Sequence, residues 1–518
     1  MSDTVTTSLC PHCLRRLPAS VVRRGDEVWL ERTCPEHGEV RALVWRGPPD
    51  YDEWRRAGSG PSCCDPAENP DCPTACGLCA GHARQTCCVL LEVTDRCDLE
   101  CPTCFASARH EAPADPSLDE IGRWFRRLRA RAPGCNVQLS GGEPTVRDDL
   151  PQVIALGRSL GIGFLQLNTN GLRLASEPGY AETLAAAGLQ TVFLQFDGVD
   201  DAAHRALRGR PLAALKERAV EHCARAGLGV VLVPTVVRGV NLEELGRILD
   251  FALERLPAVR GIHLQPLALL GRYPDAQAAG EGRVTLPEVM RELAAQSAGR
   301  IALDDLAPGD CEHALCSFSR EYLRTADGAL VALGRESREP REPGGATAGC
   351  GCATAPAAPS PKALRPTDKA AHVARRWSAP ASSCCDTAAA PAASCCDKPE
   401  TPARSCCAKP ETPVTSCCDT AAAPAASCCD GAETPADQWD DILRQVHANT
   451  FSVSAMAFQD AWTIDLERLR HCYLHVLTAD GRFVPFCAYN LTGADGRTLG
   501  VGRPSQGDRS WPAEGGAR

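Results

Sequence analysis

From Val89 onward the chain alternates short, unbroken apolar runs with longer stretches whose apolar positions recur every three or four residues. The runs are Val89–Thr94, Val137–Ser140, Gly163–Asn168, Thr191–Phe196, Val230–Val236 and Gly261–Gln265. Continuous apolarity over so few residues fits strands covered on both faces, as in a parallel sheet. The stretches between them, Leu118–Ala132, Leu150–Leu160, Ala181–Ala187, Leu212–Ala226 and Leu242–Leu256, predict amphipathic helices, and Asn241 marks one start. Repeated strand–helix units joined by right-handed crossovers make an α/β fold, here a partial parallel (β/α)6 barrel. Such folds place their chemistry at the carboxyl ends of the strands.

The pattern also divides the chain. Residues 1–60 read as an N-terminal mononuclear metal-binding module, with a hairpin over Val21–Leu30 turning at Arg24-Gly25-Asp26. Residues 61–87 are a dense cysteine segment, 88–300 the α/β core, and 301–340 a further cysteine segment. From 341 to 437 Ala, Pro, Ser and Thr dominate, and an eleven-residue unit beginning SCC recurs from Ser383. Such a tract buries too little surface to offset its ordering entropy, so disorder is expected. Residues 438–518 form a cap with a hairpin, Tyr473–Leu477 and Phe483–Phe486 around Ala479-Asp480-Gly481.

The net charge of −10 advertises no basic surface, which excludes nucleic acid as the expected partner. The arginines Arg123, Arg126, Arg127, Arg129 and Arg131 read as the solvated face of a helix. Cysteine changes the picture more: 31 residues, gathered in C-x2-C and C-x3-C clusters. That is metal-site spacing rather than the spacing of long-loop disulfides. With no apolar leader at the start as given and no run of membrane-spanning length, the expectation is a reduced, metal-loaded, cytoplasmic protein.

The first strand is followed by Thr94-Asp95-Arg96-Cys97-Asp98-Leu99-Glu100-Cys101-Pro102-Thr103-Cys104-Phe105. Thiolates are the ligands of iron–sulfur clusters, and three on one loop can hold three irons of a 4Fe–4S cube while leaving the fourth open. Polar groups follow each later strand: Ser140-Gly141-Gly142-Glu143, Asn168-Thr169-Asn170-Gly171, Gln195-Phe196-Asp197, Thr235, and His263-Leu264-Gln265. Two glycines let backbone approach a ligand, and Glu143 could pair with an ammonium. At the N-terminus, Cys10, Cys13 and Cys34 have the spacing of a tetrahedral zinc or iron site, with His37 as the fourth ligand or a later cysteine such as Cys63 or Cys64 in its place, and His12 reads as an exposed loop residue.

Cys97, Cys101, Cys104 and Phe105, followed by the GGE sequence, resemble the radical S-adenosylmethionine (SAM) superfamily. The resemblance implies a 4Fe–4S cluster whose open iron binds SAM and generates a 5′-deoxyadenosyl radical. It implies cofactor contacts from Phe105, Ser140, Gly141, Gly142, Glu143, Asn168, Asn170, Gln195, Asp197, Thr235 and Gln265. CPHC, TCPEHG, DCPTACGLCAGHARQTC, MAFQDAW and PFCAYN resemble the subfamily of tetraether lipid synthases and pterin methyltransferases. One or two auxiliary 4Fe–4S clusters are then expected. Their ligands would be Cys72, Cys76, Cys79 and Cys87, and Cys311, Cys316, Cys472 and Cys487. Cys88, Cys135 and Cys223 read as core residues. The expected reaction is carbon–carbon bond formation on an apolar, lipid-like substrate, with peripheral membrane contact and a ferredoxin or flavodoxin as electron donor. The alternatives are methyl transfer to a pterin-like heterocycle, modification of a peptide, or a thiol-rich metal store.

Overall fold

The computed structural model describes residues 4–57, 72–73, 82–84, 86–112, 114–273, 282–309, 313–333, 376–379 and 435–499. Cys76, Cys79, Cys311 and nearly all of the SCC tract lie outside the described residues. By compactness the chain divides into Met1–Ala379 with Asn449–Arg518, and Pro380–Ala448. Of the second unit the described part is helical, within Pro435–Asn449.

The first four strands make an antiparallel sheet in chain order: β1 (Thr4–Leu9), β2 (Arg16–Arg24), β3 (Glu27–Cys34) and β4 (Gly38–Arg46). The expected hairpin is β2–β3, turning at Gly25, whose φ of 66° favours glycine.

The core follows as β5 (Cys88–Thr94), β6 (Asn136–Gly141), β7 (Leu165–Thr169), β8 (Thr191–Gln195), β9 (Gly229–Val233), the two-residue β10 (Thr235–Val236) and β11 (Val259–Pro266). Neighbours from β5 to β9, and β9 with β11, pair in parallel. The connecting helices include Leu118–Arg131, Leu150–Ser159, Tyr180–Ala186, Ala213–Arg225 and Leu245–Glu254. Each lies within a few residues of its expectation. Ser117 caps the first through a reciprocal hydrogen-bond pair with Glu120, which is why that helix starts where it does. Its Arg123, Arg126, Arg129 and Arg131 face solvent, and Arg127 is half-buried.

The later strands extend this sheet at both edges. β12 (Ser317–Arg324), β13 (Leu330–Ala332) and β14 (Thr450–Met456) sit beyond β11, and β14 runs parallel to it. β15 (Leu474–Leu477) pairs in parallel with β5 and in a hairpin with β16 (Phe483–Pro485). The strand order is β13-β12-β14-β11-β9-β8-β7-β6-β5-β15-β16, so the barrel is partial, with β13 and β16 as the ends.

Side chains alternate across this sheet. Val89, Leu91, Val93, Val137, Leu139, Leu165 and Leu167 pack into the main core, against helices. Cys88, Leu90, Gln138, Ser140, Asn168, Phe193, Gln195, His263 and Ser454 point the other way and line one cavity. Strands from both ends of the order share that lining, so the sheet curls around it. Cys135 and Cys223 are buried core residues, and burial pushes each thiol up to about 12. Among the described residues, no helix is long and apolar enough to cross a membrane.

Candidate functional site

The loop that follows β5 is held open by polar anchors. Thr94 Oγ1 and the Arg96 guanidinium both donate to Asp115. Arg272, just beyond β11, donates to the carbonyls of Cys101 (2.9 Å) and Ala108 (3.1 Å) and exchanges backbone hydrogen bonds with Cys104. These ties leave Cys97, Cys101 and Cys104 lining the mouth of the cavity, whose volume is about 390 Å³. Phe105 is partly exposed at the rim and packs on Phe486, ring centroids 5.3 Å apart.

Ser140, Gly141, Gly142, Glu143, Asn168, Asn170, Gln195, Thr235 and Gln265 line the same cavity. The strand ends therefore bring these sequence-expected residues together. Two of them do something other than expected. The glycines approach the cysteine loop rather than leaving space for a ligand alone. A Cβ on Gly141 would sit 2.1 Å from the Thr94 carbonyl oxygen, and one on Gly142 2.1 Å from that of Arg96. Gly141 also has a φ of 119°. The close approach makes two backbone hydrogen bonds, Gly142 N–H to Thr94 O and Glu143 N–H to Arg96 O, both 2.8 Å.

Glu143 is fully buried and ties β6 to β7. Its Oε1 accepts from Thr145 N–H (3.0 Å), Thr145 Oγ1 (2.7 Å) and Thr169 Oγ1 (2.7 Å); Oε2 accepts from Asn170 N–H (2.6 Å). Burial pushes this carboxyl up from its ordinary range, and the donors from Asn170, Thr145 and Thr169 oppose the shift. Asn170 also donates its side-chain amide to Asp98 (2.6 Å), linking the β7 end to the cysteine loop.

Asp197 departs from its expected role as a cofactor contact. It lies behind the cavity wall, fully buried, where Arg208 grips both carboxylate oxygens at 2.7 and 2.9 Å. Asp197 therefore orients Arg208, which reaches the cavity and also donates to Thr235 Oγ1 (2.8 Å). Burial opposes both charges, but their mutual attraction prevails: Asp197 is held below its ordinary value and Arg208 above it. Sequence reading missed Arg208 because it sits inside the helix Asp201–Arg208, away from every strand end in the chain. Lys216 was also missed. It is fully buried, donates to Asn170 O and to Gln195 Oε1 (2.8 Å), and burial brings it down to about 7.

The donor set suits an iron–sulfur cluster. Thiolates are the ligands of such clusters, and burial pushes the Cys97 and Cys101 thiols up, so thiolates there call for a cation. Arg208 beside Cys101 and the polar rim below it suit a carboxylate-bearing cofactor.

The N-terminal set is gathered as expected. The ligand atoms of Cys10, Cys13, Cys34 and His37 all lie within 4.8 Å of one another. His37 Nδ1 is 3.4 Å from Cys34 Sγ and draws that thiol down to about 6. His12 is exposed and stacks on His37.

The remaining cysteines converge in part. The β15–β16 hairpin carries Cys472 and Cys487 at its two ends, and Cys316 lies near enough for its charge to bear on both. Arg468 donates to Cys316 Sγ (3.1 Å). Cys72 packs against the same small core as Cys472 and Cys487, and the Cys87 N–H donates to Tyr473 O (3.1 Å). Cys88, expected in the core, is buried at the start of β5 and lines the cavity.

Residues 91–252, which hold the cysteine loop and strands β6 to β9, match the radical SAM superfamily. Residues 4–46 match the HMPTM N-terminal zinc ribbon domain. Among individual proteins, the chain is 40% identical over 309 residues to the 7,8-dihydro-6-hydroxymethylpterin dimethyltransferase of Methanocaldococcus jannaschii, covering 58% of this chain and 60% of that one. It is 30% identical over 188 residues to the GTP 3′,8-cyclase of Marinobacter nauticus, covering 36% and 56%. The chain thus spans about 60% of the length of the first relative and 56% of the second. The solved Streptococcus suis SuiB bound to its precursor peptide SuiA is 17% identical, covers 42% of this chain and 46% of its own, and has a TM-score of 0.35.

Proposed function

We propose that this chain cleaves SAM reductively to methionine and a 5′-deoxyadenosyl radical that takes a hydrogen from a compact pterin-like heterocycle, and that the heterocycle is then methylated by a second SAM, which leaves as S-adenosylhomocysteine, the reductant supplying one electron to each step. A 4Fe–4S cluster on Cys97, Cys101 and Cys104 would bind SAM at its open iron and supply the one-electron cleavage. The protein's own part is positioning. Glu143, Asn170 and Gln195 offer acceptors at the rim, Arg208 offers a fixed cation, and Phe105 a ring at the edge.

The observation that carries the substrate reading is the wall below the cysteine loop. Gln138, Asn168, His263, Ser317, Ser454 and Asn136 line it, so donors and acceptors face the cavity from β6, β7, β11, β12 and β14. Asn168 donates to Gln138 (3.0 Å) and His263 pairs with Ser454 (2.9 Å), but Asn136 Oδ1 and Ser317 Oγ are buried with no protein partner; a heterocycle rich in ring nitrogens and carbonyls can satisfy them, and an alkyl chain would leave each unpaired at a cost of about 1–3 kcal/mol. His263 is half-buried and stays neutral, its pKa brought down to about 4 by burial and by the Arg376 charge. It is thus able to donate and accept at once.

The lipid reading has one support, the apolar side formed by Leu90, Leu270, Phe458 and Phe486. The test offers both substrates. Reconstituted protein is incubated anaerobically with SAM, dithionite and either 6-hydroxymethyl-7,8-dihydropterin or a dialkyl glycerol lipid. The expected result is 5′-deoxyadenosine and a methylated pterin, both abolished in Cys97→Ala. Coupling of the lipid chains instead would replace the substrate class; no 5′-deoxyadenosine with either would sink the enzyme reading.

Auxiliary clusters are part of the same proposal. Cys72 and Cys87 would serve one, with Cys76 and Cys79; Cys316, Cys472 and Cys487 another, with Cys311. The convergence of the described members near β15 supports both. The N-terminal Cys/His set would hold zinc or a single iron in a closed, structural site. The reductant would be a small electron carrier of the ferredoxin or flavodoxin class.

A further inference from the structure

The tract expected to be disordered contains one large aromatic residue, Trp377, and it is not free. Residues 376–379 seat at the amino-terminal mouth of the barrel, opposite the cysteine loop. Thr191, the first residue of β8, donates its hydroxyl to the Trp377 carbonyl (3.0 Å). The Trp377 indole stands edge-on to Phe193, centroids 4.8 Å apart. Arg376 Nε donates to Ser452 Oγ (2.9 Å) on β14 and pairs with Glu321 on β12 at 3.3 Å. Both residues line the cavity.

Gly229, the first residue of β9, is shaped to this contact. A Cβ there would lie 2.0 Å from the Trp377 carbonyl oxygen and 2.9 Å from Ala379 N. These atoms belong to the backbone and cannot swing aside. Four strands, β8, β9, β12 and β14, therefore contact the same short segment, and one of them gives up a side chain to admit it.

We propose that Arg376 and Trp377 are a plug that closes the floor of the barrel and forms the inner wall of the substrate cavity. The wall limits how deep a substrate can sit. Its chemistry is an indole edge beside a guanidinium, with the neutral His263 above. That floor receives the far edge of a planar, electron-rich ring and stops an alkyl chain from threading through.

Trypsin and mass spectrometry test the plug on full-length, cluster-loaded protein. The Arg376–Trp377 bond in wild type resists cleavage, and Gly229→Ala, which has no room for the Trp377 carbonyl, is cut there at least about ten times faster. Equilibrium dialysis with 6-hydroxymethyl-7,8-dihydropterin tests the wall. Trp377→Ala weakens binding roughly ten-fold, the size of one lost aromatic contact, while iron content and SAM binding stay at wild-type values. Wild type cut after Arg376 as fast as Gly229→Ala, or Trp377→Ala binding the pterin as wild type does, would overturn the proposal. The binding arm rests on the substrate class proposed above. If wild type itself does not bind the pterin, that reading fails alone, and the proteolysis arm still decides whether the floor is sealed.

Discussion

Arg208 and Asp197 show how a buried charge is made useful. The carboxylate never reaches the cavity, yet it fixes the guanidinium that does. Arg208→Met removes the cation that holds Asp197 charged in the interior, a loss of about 3–5 kcal/mol in urea unfolding. Asp197→Asn with Arg208 retained should cost less stability but should weaken SAM binding measured by dialysis, because the cation is no longer aimed. Lys216 gives a pH signature. Its folded value near 7 lies below the unfolded 10.5. Between those values the unfolded chain binds more protons, so this residue makes stability rise with pH from about 7 to 10.5. Lys216→Met should flatten that slope, and an unchanged slope would show that the amine is not responsible. None of these three residues was legible, or legible in its true role, from the chain: each acts through a neighbour brought in from another element.

At the scale of elements, strand β6 and the cysteine loop are one unit. The GGE residues were readable because glycine pairs at a strand end are conspicuous, but their reason was only half readable. The sequence suggests room for a ligand; the fold uses the glycines first to bring β6 against Thr94 and Arg96. Gly142→Ala should therefore fail before any cofactor enters. The expected result is a stability loss of roughly 2 kcal/mol or more with a fall in reconstituted iron. A variant that folds like wild type and loads a full cluster would return the glycines to a purely ligand-facing role. The zinc-ribbon sheet behaves as a separate element chemically. Cys34→Ser should lose the metal equivalent of the N-terminal site and leave the cysteine-loop iron intact, as read by metal analysis before and after a mild chelator.

At the scale of the molecule, the six βα strands and the β15–β16 hairpin were readable, but β14 and the parallel pairing of β14 and β15 with the core were not. The SCC tract separates both β14 and β15 from the rest of the sheet in the sequence. Local pattern cannot reveal that one will pair with β11 and the other with β5. Truncation before Thr450 would bare both β11 and β5 as unpaired edges, and the expected outcome is aggregated protein on size exclusion. By itself the sequence determined the βα alternation, the three-cysteine loop, the polar strand ends and the Cys/His set. Those follow from periodicity and ligand spacing, which are local. Only the tertiary structure decided which polar residues face the cavity, that Asp197 stands behind Arg208, and that a residue inside a low-complexity tract closes the floor. Those depend on contacts between residues tens to hundreds of positions apart, and no local pattern encodes them.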